Sequence, residues 1–120
     1  MPDKKKILIC DDEEGIRESF KLILGDKYDL VLTSSGKECL ECLAKQKDIN
    51  LVLLDIKMPK QNGLEVTKDI KRIYPNTKVI IVTGYASAEI AQEATSLGAD
   101  AYITKPFESK EILNKISNFS

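Results

Sequence analysis

The sequence predicts an α/β fold: one doubly wound, five-stranded parallel sheet with five helices. Short apolar runs alternate with longer segments of helical period five times along the chain, the pattern of repeated βα units around a parallel sheet. Three of those runs are continuously apolar at their centres, as strands covered on both faces are. A chain of 120 residues, 42% of them hydrophobic, also suits a single core and needs no disulfide or metal to hold it.

The first strand is read at Lys6–Cys10. The helix after it begins near Glu14, where Ile16, Phe20, Ile23 and Leu24 form one apolar stripe. Tyr28–Thr33 is the second strand. Ser35 and Glu38 have capping-box spacing, which starts the second helix at Gly36. Leu51–Leu54 is the third strand, and the helix that opens near Gly63 is halted by Tyr74-Pro75-Asn76. Lys78–Thr83 is the fourth strand. A helix near Ser87 follows, striped by Ile90, Ala94 and Leu97, with Gly98 placed just beyond its end, where a left-handed residue is favoured. Ala101–Thr104 is the fifth strand, and the last helix opens near Ser109. No linker, long repeat or low-complexity tract interrupts the series, so one domain is expected over residues 1–120.

Composition excludes several functions. Lys plus Arg number 18 against 19 Asp plus Glu, with a net charge of −1 and a pI of about 5.5, so a nucleic-acid partner held by bulk positive charge is not expected. The absence of histidine removes Ser-His-Asp and Cys-His catalysis, histidine-ligated zinc and histidine proton shuttling. Behind the basic start only Ile7–Cys10 is apolar before Asp11 and Asp12 intervene, and no run approaches the ~20 residues that span a bilayer. The chain is read as soluble and cytoplasmic, with no membrane partner. Three cysteines without a secretory signal suit a reducing compartment. Cys39-Leu40-Glu41-Cys42 matches C-x-x-C, but it lies a turn inside the second helix, and zinc would lack two ligands with Cys10 alone remaining. Gly36-Lys37 would need Gly at 31 and Ser or Thr at 38 to be a phosphate loop, where Val31 and Glu38 stand. Acids in the first βα turn replace the glycines of a dinucleotide site.

What the chain offers is a set of polar residues at strand ends. Asp11 and Asp12 follow the first strand, Asp55 the third, Thr83 ends the fourth and Lys105 follows the fifth. Ligands of open parallel sheets bind outside those ends, where the strand order reverses. With the first and third strands adjacent, three carboxylates converge on one pocket. Two unit charges ~4 Å apart repel by roughly 4 kcal/mol at an effective dielectric of 20, so a cation belongs there. Mg²⁺, an octahedral ion held by carboxylates, water and phosphate oxygens, is the natural one. Lys105 adds a fixed charge, Thr83 a hydroxyl and Gly84 an amide; with a carboxylate nucleophile these are what phosphoryl transfer requires. Asp55 is read as that nucleophile, because the neighbours Asp11 and Asp12 make the better metal platform.

Ile9-Cys10-Asp11-Asp12-Glu13, Leu53-Leu54-Asp55-Ile56-Lys57-Met58-Pro59, Asn62-Gly63, Val82-Thr83-Gly84-Tyr85 and Tyr102-Ile103-Thr104-Lys105-Pro106-Phe107, in this order and spacing, resemble the receiver domain of two-component response regulators. The resemblance spans the whole chain. It implies a flavodoxin-like strand order 2-1-3-4-5. It also implies that Asp55 accepts phosphate from a sensor histidine kinase or histidine phosphotransfer protein, and that Asp12, Asp55 and the Lys57 carbonyl ligate Mg²⁺ with Asp11 close by. Thr83 and Lys105 would bind phosphoryl oxygens, with Gly84 and Lys57 beside them. Thr83 and Tyr102 would be a switch pair that rearranges the face of the fourth helix, fifth strand and fifth helix toward a downstream target or output domain. A cis Lys105-Pro106 bond is implied as well. Such a protein is a phosphorelay switch that catalyses only its own phosphoryl transfer and autodephosphorylation, and a phosphorylation-dependent homodimer through the same face is left open.

Other readings stand beside this one. Asp12 could be simply an N-cap with Glu13 and Glu14 set against the helix dipole, Asp55 a turn former, Thr83 a strand residue and Lys105 a solvated charge. Their joint placement at successive strand ends favours function. A Mg²⁺-dependent phosphohydrolase of the haloacid dehalogenase kind also forms an aspartyl phosphate, but needs D-x-D-x-[TV] where Asp11-Asp12-Glu13-Glu14 stands. A receiver-shaped module that binds partners without phosphorylation is the third reading; the intact set Asp11, Asp12, Asp55, Thr83 and Lys105 argues against it. Lys57 and Tyr85, each two residues past Asp55 and Thr83, are expected to overhang the phosphoryl group and shield it from water.

Overall fold

Along the chain run β1 (Lys6–Cys10), α1 (Glu14–Leu24), β2 (Asp29–Thr33), α2 (Gly36–Lys45) and β3 (Ile49–Leu54). Two-residue strands β4 (Lys57–Met58) and β5 (Gln61–Asn62) follow, then α3 (Gly63–Ile73), β6 (Lys78–Thr83), α4 (Ala88–Ser96), β7 (Ala101–Thr104) and α5 (Ser109–Ser117). The computed structural model describes residues 5–58, 61–84 and 87–119. The main sheet is parallel throughout, in the order β2-β1-β3-β6-β7; β4 and β5 pair antiparallel and apart from it. Counting only the main sheet, this is the expected 2-1-3-4-5, and its winding reverses between β1 and β3.

The pleat sorts the core into two layers. Ile7, Ile9, Leu51, Leu53, Ile80, Val82 and Ile103 pack with Phe20 and Leu24 of α1 and Ile112 and Ile116 of α5. Leu8, Cys10, Val52, Leu54, Val79 and Ile81 pack on the opposite face with Cys39 and Leu43 of α2, Val66 and Ile70 of α3 and Ala94 of α4. Both faces are covered, which is why β1, β3 and β6 read as unbroken apolar runs.

The expected boundaries have physical counterparts. The Ser35 hydroxyl accepts from the Glu38 amide at 3.2 Å, while the Glu38 carboxylate reaches one residue further back than in a capping box, to the Ser34 hydroxyl at 2.7 Å and the Ser34 amide at 3.1 Å. Those bonds, the hydroxyl first, hold the Glu38 carboxyl below its ordinary range. At the end of α4 the Gly98 amide donates to the Thr95 carbonyl and the Ala99 amide to the Ala94 carbonyl, a Schellman closure that needs the positive φ of 103° at Gly98. Two strand starts differ from expectation. The Tyr28 amide still donates to the Leu24 carbonyl of α1, so β2 begins at Asp29. β3 begins at Ile49, because a register shift beside Lys6 carries the pairing past Asn50, which interrupts the apolar run. Among the described residues no helix is long and apolar enough to cross a membrane.

Candidate functional site

The sheet ladders run one step past the strand ends and thereby place the acids. The Asp11 amide donates to the Thr33 carbonyl at 3.1 Å, and the Asp55 amide donates to the Cys10 carbonyl at 3.0 Å. The adjacency of β1 and β3 therefore sets the two carboxylates side by side. On the other flank the Lys105 amide donates to the Thr83 carbonyl at 2.9 Å, which ties the Lys105 backbone to the end of β6. From there its ammonium reaches 2.8 Å from Asp11 Oδ2, 3.1 Å from Glu13 Oε1 and 3.3 Å from Asp55 Oδ2. The Lys105-Pro106 peptide is cis, as the resemblance implies.

The first turn of α1 completes this side. Its N-cap is Glu13, whose side chain makes no capping bond and whose amide donates to Asp11 Oδ1 at 2.9 Å. The helix starts at Glu14, as the sequence predicts, with Glu13 as its N-cap; the alternative that made Asp12 simply an N-cap does not hold, and Asp12 stands exposed on the cleft. Arg17, one turn into the helix, donates from Nη1 to the Asp11 carbonyl at 2.8 Å and so pins the acidic loop to α1. If the cleft takes up a phosphoryl group, as the resemblance implies, Arg17→Ala is expected to slow that uptake several-fold with little change in fold, read from the initial rate with a small phosphodonor.

A cleft of about 630 Å³ opens above these groups, within the usual size of ligand sites. It is lined by Asp12, Glu13, Asp55, Lys57, Met58, Thr83, Gly84 and Lys105. Asp11 lies beneath, 1% exposed, and Asp55 is 4% exposed. Asp11, Asp12, Glu13 and Asp55 each present an oxygen, all within 4.8 Å of one another. At that separation each pair repels by roughly 3.5 kcal/mol at an effective dielectric of 20. One ammonium among four carboxylates does not offset this. An all-oxygen donor set with acids in excess fits a hard divalent ion such as Mg²⁺.

Burial and the neighbouring charges act on the ionisation of these groups. Burial pushes the Asp11 carboxyl above its ordinary value, outweighing the Lys105 bond that pulls it down. Burial also works against the Lys105 ammonium, but the bond and charge of Asp11, then Asp55 and Glu13, overcome it and the pKa is raised. A carboxyl whose folded pKa is raised stabilises the fold below its unfolded pKa and loses that contribution as pH rises through the folded one. Asp11→Asn is therefore expected to raise Tm by a few degrees near neutral pH in metal-free buffer, with the gain shrinking as pH falls toward about 4; thermal denaturation followed by circular dichroism measures it.

Thr83 is fully buried at the end of β6. Ile81, two residues before it, pairs with Tyr102 of β7, so Thr83 and Tyr102 share the sheet face that packs against α2, α3 and α4. Tyr102 is half-buried and burial raises its phenol. Gly84 lines the cleft, and a Cβ added there would meet nothing within 4 Å. Lys57 lines the cleft as expected, whereas Tyr85 lies outside the described residues. Glu13 and Met58 are site residues that sequence reasoning missed; the signal for Glu13 was its place as the third acid in a row. The cysteines are no reactive pair: bonding to Cys10 and burial push the Cys39 thiol up, and burial raises Cys42.

Fold and site together define a doubly wound α/β protein with an acidic, lysine-braced cleft at its switch point. The response regulator receiver domain model matches residues 7–117, and the chain belongs to this family, the signalling modules of two-component phosphorelay systems. Sporulation initiation phosphotransferase F of Bacillus subtilis is 35% identical over 96% of this chain and 93% of its own length. Chemotaxis protein CheY of Halobacterium salinarum is 34% identical over 95% of each. The receiver domain protein (CheY-like) of Methanospirillum hungatei JF-1 superposes with a TM-score of 0.91 at 38% identity, over 97% of this chain and 93% of its own.

Proposed function

We propose that this chain, one receiver unit over residues 1–120, takes a phosphoryl group onto Asp55 from a sensor histidine kinase or histidine phosphotransfer protein in the cytoplasm. So charged, it changes what its α4–β7–α5 face binds, whether a downstream target, an output domain or a second copy. The observation that carries this reading is the buried Asp55 carboxylate beside Asp11, with the Lys105 ammonium 3.3 Å from its Oδ2 in an open cleft. An Asp55 oxygen attacks the phosphorus, the P–N bond of the phosphohistidine breaks, and its electron pair leaves on the imidazole nitrogen, which takes up a proton. Lys105, the Thr83 hydroxyl and the Gly84 amide donate hydrogen bonds to the transferred oxygens, with Lys57 over the cleft mouth. Asp12, Asp55 and the Lys57 carbonyl would hold Mg²⁺, with Asp11 beside them; when bound the ion neutralises charge between acids and phosphoryl oxygens. Thr83, drawn toward the phosphoryl group, leaves room on the shared sheet face for Tyr102 to turn inward.

Intact mass after incubation with acetyl phosphate tests this. A gain of one phosphoryl group that disappears when a chelator removes Mg²⁺ is expected. No gain in the presence of the metal would favour a module that binds its partners without phosphorylation, and a gain that survives chelation would remove Mg²⁺ from the scheme.

A further inference from the structure

The ammonium of Lys105 has three N–H donors and three carboxylate acceptors, on Asp11, Glu13 and Asp55. The acceptors differ in kind. The side chains of Asp11 and Asp55 are 2% and 5% exposed and lie in the floor of the cleft, whereas that of Glu13 is 61% exposed at its rim. Phosphorylation, on the reading above, turns the Asp55 carboxylate into an acyl phosphate. Its side-chain oxygen loses its charge, and the donor that faced it must turn to a phosphoryl oxygen. Lysine has a flexible stem and no rigid fork to guide that turn. Asp11 and Glu13 take no part in the bond being made, and of the two Glu13 is the acceptor at the rim. Its backbone is held by the bond from its amide to Asp11 Oδ1, and its carboxylate has no capping duty.

We propose that Glu13 is a positioning residue for Lys105: it keeps one donor of the ammonium fixed at the rim while the others follow Asp55 from carboxylate to acyl phosphate. The proposal rests on Asp55 being the phosphoacceptor. Glu13 also belongs to the four-acid cluster, so its charge alone could act on a metal ion or an anionic donor, and the test has to separate the two effects.

The test is the limiting rate of Asp55 phosphorylation at saturating acetyl phosphate and Mg²⁺, with the half-saturating donor concentration measured alongside. Glu13→Ala is expected to lose about fivefold in limiting rate at unchanged half-saturation, the size of effect a half-exposed ion pair supports. Glu13→Gln keeps an acceptor oxygen and is expected within about twofold of wild type. In a Lys105→Met background, Glu13→Ala is expected to change nothing further. A wild-type rate in Glu13→Ala, a Gln variant no better than Ala, or the same loss without Lys105 each overturns the proposal. A second readout needs neither metal nor phosphate: carbon-13 relaxation at Lys105 Cε in the metal-free protein, expected to show greater mobility in Glu13→Ala, with unchanged mobility contradicting it. Failure of the phosphoacceptor reading looks different, because the wild type itself would then take up no phosphoryl group at Asp55.

Discussion

Asp55→Asn is expected to take no measurable phosphoryl group from acetyl phosphate, a loss on the order of 10³-fold or more, while remaining folded. An amide in place of the carboxylate removes the attacking oxygen and leaves the pocket's shape nearly unchanged. It also removes one of four carboxylates packed within 4.8 Å of one another, so Tm is expected at or above the wild-type value. Intact mass and thermal denaturation on the same preparation separate these effects. A variant that is still labelled would move the nucleophile elsewhere in the cleft. One that melts far below wild type would show that Asp55 chiefly braces Lys105.

Gly63→Ala is expected to destabilise the fold by about 3 kcal/mol, the upper part of the range for overpacking a close-packed site. A Cβ at Gly63 would overlap the Asp55 carbonyl oxygen, lie 2.6 Å from Ile56 Cα and 2.8 Å from the Asp55 carbonyl carbon. All three are backbone atoms, so no side chain can swing aside. The Gly63 amide also donates to the Ile56 carbonyl at 2.7 Å, so the start of α3 is pinned against the segment that carries Asp55. The variant is therefore expected to lose phosphorylation rate as well as stability. Urea unfolding with an unchanged m-value measures the first. Gly84→Ala is the control: its Cβ meets nothing within 4 Å, and a change within about 0.5 kcal/mol is expected.

The contrast between these glycines shows where sequence reading stops. Gly63 reads as a helix start and as part of the Asn62-Gly63 motif; its steric role depends on α3 abutting the Asp55 segment, a tertiary fact with no local signature. The strands β1, β3 and β6 were legible because burial on both faces writes an unbroken apolar run. The helices were legible from stripes such as Phe20 with Leu24, and their ends from Ser35, Pro75 and Gly98. β4 and β5 were not foreseen, since two residues carry no periodicity. At the site, Asp11, Asp12, Asp55, Thr83 and Lys105 were legible because each directly follows or ends a strand. Glu13 was missed as a site residue, because its partner Lys105 is 92 positions away and meets it only through the strand order. Arg17 was missed for a related reason: its acceptor is a backbone carbonyl, which no residue pattern marks.

The most direct measurement is the location of the phosphoryl group. Borohydride reduces an acyl phosphate to an alcohol, so the phosphorylated wild type, trapped this way and sequenced by tandem mass spectrometry, is expected to carry homoserine at position 55 and nowhere else. Homoserine at position 11 or 12, or full labelling with no reduced residue in the cleft, would contradict Asp55 as the phosphoacceptor.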